Sequence, residues 1–127
     1  MENKKRPIYL DLPKLTQNMS VTAKVSILHR ASGIIMFLAI PFVVYLFKLS
    51  LTKPEFYATC YTFATLPVLK LVYLVLIWSI MHHMCAGVRF LLLDVHRGID
   101  RVTAQKTARW VLVVSIILTL CLGALMW

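Results

Sequence analysis

The chain has 127 residues, of which 60% are apolar and 15% charged, and it carries a formal charge of +9. That length fits one domain, and the apolar excess excludes an ordinary soluble globule in favour of a bilayer protein. Nucleic-acid binding is excluded as the meaning of the charge, because the basic residues sort by membrane side instead of forming one patch.

Residues 1–25 read as a mostly polar arm. Its RPIYLDLPKL stretch, Arg6 to Leu15, mixes two prolines with Leu and Tyr, a pattern poor for a long helix. It suits an extended strip lying on another protein or on the membrane surface; a solvated tail is the alternative. The arm holds the first apolar run too far from the start for a secretory signal, and no small-residue cleavage site follows it. Glu2 and Asp11 are foreign to a transit peptide. The N-terminus is therefore expected to be mature and the membrane to be a bacterial plasma membrane.

Three apolar runs follow, Ile27 to Phe47, Leu71 to Leu93 and Trp110 to Trp127. Each is near the about 20 residues that cross a hydrocarbon core of about 30 Å. The expected fold is all-α and integral to the membrane, with transmembrane helices at about 27–47, 71–93 and 110–127 in a single domain, 26–127. Pro41 removes one backbone hydrogen bond in the first helix and is given no function. Trp110 and Trp127 bracket the third run like an interfacial belt, and only Ser115 and Thr119 interrupt its apolar character, so it reads as a packing and anchoring helix.

The charge pattern orients these helices. Lys4, Lys5, Arg6, Lys14, Lys24 and Arg30 precede or open the first run, and Arg97, Arg101, Lys106 and Arg109 separate the second from the third. The other connection holds only Lys48 and Lys53, with Lys70 opening the second run. The positive-inside rule then puts the N-terminus in the cytoplasm and the C-terminus outside. Cys60, Cys85 and Cys121 show no paired spacing, so neither a zinc site nor a disulfide framework is expected.

Ionisable groups inside a bilayer are costly enough to imply function or pairing. In SILHRASG, the residues Ser26, His29, Arg30 and Gly33 fall at i, i+3, i+4 and i+7, sharing one helical face at the mouth of the first run. That face could hold a polar ligand head; snorkelling to lipid head groups is the alternative. In HHMCAGVRF, His83 lies ten residues before Leu93, about 15 Å deep, too far for snorkelling. A neutral imidazole there either hydrogen-bonds within a bundle or ligates a metal such as haem iron. Gly87, one turn on, would leave room beside it. His82, rotated about 100° from His83, needs a separate partner, and Arg89 is close enough to the edge to snorkel.

The two clusters together, in this order and spacing, resemble the cytochrome b anchor subunit of succinate dehydrogenase, the large membrane chain of respiratory complex II. The resemblance spans nearly the whole chain: Arg6-Pro7, Ser26-x-x-His29-Arg30-x-Ser32-Gly33, and His83-x-x-x-Gly87-Val88-Arg89-Phe90 ending at Asp94. The chain departs from the family pattern where the spacing from Arg6 to Ser26 is a residue or two longer. It also has Leu93 in place of an aromatic or Met, and His96 in place of a small residue.

The resemblance implies that His83 is one axial ligand of a b-type haem. The other ligand would come from a second small membrane-anchor subunit. It further implies that Ser26 and Arg30 lie at a ubiquinone site and that His29 and Arg30 lie near the haem propionates. A flavoprotein subunit and an iron–sulfur subunit would deliver electrons from succinate. The nearest alternative is a quinol-oxidising fumarate reductase anchor. A haem-free transport or assembly protein is the alternative from another class.

Overall fold

The computed structural model describes residues 12–126. They form five helices: α1 (Leu12–Asn18), α2 (Val21–Thr52), α3 (Pro54–Ala64), α4 (Pro67–Asp94) and α5 (Arg101–Leu125). Three of them, α2, α4 and α5, are long and apolar enough to cross a membrane, as expected. α5 packs mainly on α4 and α4 on α2, with a smaller contact between α2 and α5.

Each of these helices overruns its apolar run, and local caps explain the starts. Ser20 accepts a hydrogen bond from the Ala23 N–H, so α2 begins six residues before Ile27. It continues unbroken through Pro41 for 32 residues, about 48 Å, well beyond the hydrocarbon thickness. Asp100 accepts from the Thr103 N–H at 2.8 Å and starts α5 two polar turns before Trp110. The hydrogen bonds from Thr103 hold the Asp100 carboxyl below the usual carboxylate range.

Two elements differ from the sequence expectation. The arm is helical over Leu12–Asn18, where an extended strip was expected; its first eleven residues lie outside the described part. The connection after α2 carries α3, a helix too short and too polar to announce itself as a span. Pro54 opens it and Glu55 sits in its first turn, both favourable at a helix start.

The interior is built from small residues. Val25, Ser32, Ser79, Ala86, Ala108 and Ser115 are all fully buried, which lets the helix backbones approach closely. Large apolar side chains point outward instead, with Phe37 72% and Phe42 71% exposed. This inversion of the soluble pattern is what a lipid solvent requires.

α4 ends in a Schellman turn. The His96 N–H donates to the Leu93 carbonyl at 3.0 Å and the Arg97 N–H to the Leu92 carbonyl at 2.9 Å. His96 thereby takes the left-handed position, with φ 61°, where glycine is the usual occupant. His96→Gly is accordingly expected to stabilise the chain by about 1 kcal/mol, read as a rise in thermal midpoint of the detergent-solubilised complex.

Candidate functional site

The two polar clusters, separated in the sequence reading into a shallow mouth and a deeper histidine, meet at one level. His29 on α2 and His83 on α4 stack, with ring centroids 4.0 Å apart and planes inclined by 17°. Phe90 closes one side, its ring edge-on to His29 at 5.1 Å. His29 is eight residues, about 12 Å, inside the first residue of α2. His83 therefore lies at the same level of the bundle as His29.

His83 is held through one nitrogen. Its Nδ1 is 3.1 Å from the His29 carbonyl oxygen, which can only accept, so Nδ1 carries the proton and donates. The Ser32 hydroxyl donates to the same carbonyl at 2.8 Å and lies 3.3 Å from Nδ1. A neutral imidazole protonated at Nδ1 keeps its lone pair on Nε2, the form that ligates a metal. Ser32 entered the sequence reading only as a letter of the motif. Its partnership with a residue 51 positions away has no local signal.

The glycine that makes room for His83 is Gly33. A Cβ built there would lie 3.1 Å from His83 Cε1 and 3.4 Å from Nδ1, so the imidazole lies directly over the bare α2 backbone. Gly87 faces His29, and a Cβ there would meet Nε2 at an ordinary 3.7 Å. The i+4 rule places neighbours on one helix but says nothing of the opposing one.

Ser26 and Arg30 stay open. Ser26 is half-buried and Arg30 exposed. The hydroxyls of Ser32, Ser50, Ser79 and Ser115 bond back to carbonyls of their own helices. Ser26 makes no such bond, and neither Ser26 nor Arg30 has a hydrogen-bond or ion-pair partner among the described residues. A hydroxyl and a permanent cation one turn apart, both unspent, form a ready receptor for a polar oxygen.

The neighbouring ionisable residues turn the other way. His82 is fully buried, stacked on Trp78 with centroids 5.2 Å apart, and its Nδ1 is 3.4 Å from the Ser115 hydroxyl. The separate partner it needs therefore comes from α5. Arg89 does not snorkel: it is buried and reaches across to α5, donating from Nε to Thr107 Oγ1 at 3.2 Å and from Nη2 to the Ala104 carbonyl at 3.1 Å. The polar start of α5, hidden from an apolar-run reading, supplies acceptors closer than the water layer.

The described chain is thus a multi-pass, all-helical membrane protein with imidazole, hydroxyl and guanidinium groups gathered at one end of its bundle. Residues 2–122 match the family described as the succinate dehydrogenase/fumarate reductase transmembrane subunit, and the chain belongs to that family. It is 31% identical over 126 residues to the succinate dehydrogenase cytochrome b556 subunit of Coxiella burnetii (strain RSA 493 / Nine Mile phase I), covering 98% of this chain and 99% of that one. It is a subunit of an oxidoreductase complex, as the motifs led us to expect, and the reading as a transport or assembly protein is set aside.

Proposed function

We propose that this chain is the large anchor of a succinate:ubiquinone oxidoreductase, binding one haem b through His83 and forming part of the quinone-reduction site with Ser26 and Arg30. The observation that carries the reading is the Nδ1 bond of His83 to the His29 carbonyl, which sets the tautomer a haem ligand needs. The donor set fits the group: a neutral imidazole inside an apolar bundle suits b-type ligation. When bound, the haem would supply a one-electron redox centre.

The His29 ring lies flat against that of His83, so the two imidazoles of this chain would not hold one haem between them. The second imidazole then comes from a second small membrane-anchor subunit. Arg30, with His29, would pair with the propionates.

At the quinone, the Ser26 hydroxyl donates to one carbonyl oxygen and the Arg30 guanidinium stabilises the negative charge that develops there on reduction. Ser26 has no base bonded to it, so the protons come from water or a partner chain. Electrons arrive from succinate through a flavoprotein and an iron–sulfur subunit docked at the basic end. By the distribution of Lys and Arg that end is cytoplasmic, with the C-terminus periplasmic in a bacterial inner membrane. The family description covers fumarate reductases as well, and the direction of flow is set by the partners' potentials.

Ser26→Ala tests the quinone half. In the intact complex it is expected to slow ubiquinone reduction about tenfold, the worth of one hydrogen bond, while succinate oxidation with a soluble dye acceptor stays at the native rate. Unchanged ubiquinone reduction would remove Ser26 from the site.

A further inference from the structure

A second concavity lies between α4 and α5, and none of the residues discussed for the quinone or for His83 lines it. It encloses about 590 Å³. Val88, Leu92, Trp110, Val111 and Val114 give it apolar walls, and Arg89 and Arg97 belong to the same lining.

Its charges are unusual for an apolar groove. Arg89 is buried, and only two of the five N–H donors of its guanidinium are used on α5. Neither Arg89 nor Arg97 has a carboxylate within ion-pair reach among the described residues. A guanidinium fork held beside an apolar channel matches a phosphate with a hydrocarbon tail. The part of α4 that lines the groove, from Met84 to Leu93, is about 14 Å long, room for a stretch of acyl chain.

We propose that this groove is a binding site for an anionic phospholipid, its phosphate on Arg97 and Arg89 and one acyl chain along Val88 and Val114. The head group is selected by charge. The lining carries two guanidinium groups and no carboxylate, so a phosphate is matched there while the cation of a zwitterionic head group finds no partner in it. This reading rests on the membrane fold alone and does not depend on how quinone or haem is bound.

The test is native mass spectrometry of the purified intact complex, titrated with phosphatidylglycerol or with phosphatidylcholine. The native complex is expected to retain one phosphatidylglycerol at roughly tenfold lower concentration than phosphatidylcholine. Arg97→Gln, in an exposed turn outside the helices, is expected to abolish that preference. Val88→Trp, at a position 54% exposed, is expected to fill the channel and remove the bound copy of either lipid. Equal retention of the two lipids, or variants that both keep the native preference, would overturn the proposal. So would a photocrosslinker at Val114 that captures a polypeptide in place of lipid, since the groove would then be roofed by a partner helix.

Discussion

Gly33→Val is expected to leave the complex assembled but strip it of most of its haem. A Cβ at this position would lie 3.1 Å from His83 Cε1, and the imidazole has little freedom to retreat. Its Nδ1 is tied to the His29 carbonyl, and the His29 ring is stacked against it. Alanine alone sets two effects against each other, because it relieves the glycine penalty in a helix, about 1 kcal/mol, while pressing on the ring. Valine adds two further methyl groups and decides the matter, at an overpacking cost of about 1–3 kcal/mol. The ring must then rotate away, breaking the bond that fixes its tautomer, and disruptions of that kind weaken metal affinity about 10–100-fold. The check is haem per complex by pyridine haemochrome assay. Full occupancy in the valine variant would show that the imidazole has slack and that the Nδ1 contact does not orient it.

Arg30→Leu is expected to lower ubiquinone reduction by about 100-fold or more, against about tenfold for Ser26→Ala. A permanent charge facing a developing negative oxygen in a low-dielectric setting is worth more than a neutral donor. Arg30 is exposed and unpaired in the chain as described, so its removal leaves no orphaned partner and should not unfold the bundle. Dye-linked succinate oxidation is the control that separates quinone chemistry from assembly. Arg30→Lys should recover part of the loss, since it restores the charge but not the fork. An Arg30→Leu complex reducing ubiquinone at the native rate would move the site elsewhere.

The sequence made legible what depends on spacing along one helix. Three spans and their order followed from the apolar runs. What it hid depends on two helices at once. His29 and His83 are 54 residues apart, and their stacking follows from the register in which α2 meets α4. The same register brings Gly33 under the His83 ring, a contact no spacing along one helix announces. Arg89 was misplaced for a related reason: an apolar-run boundary at Trp110 conceals that α5 begins at Arg101 and offers Ala104 and Thr107 as acceptors. The short helices α1 and α3 were missed because neither is long or apolar enough to stand out beside three spans.

The adjacent histidines make the sharpest comparison, since both have a partner at Nδ1, the His29 carbonyl on α2 for His83 and the Ser115 hydroxyl on α5 for His82, whose Nε2 is buried without a partner among the described residues. For His82, the Ser115 hydroxyl also bonds to the Leu112 carbonyl at 3.0 Å, so a leucine in its place strands no donor. A dithionite-reduced minus oxidised visible spectrum of the purified complex, recorded for the native protein, His83→Ala and His82→Leu, tests the central claim most directly. We predict a sharp b-type α-band in the native complex, retained in His82→Leu and lost or shifted in His83→Ala. A native-strength band in His83→Ala, or no band in any of the three, would contradict the assignment of His83 as the ligand.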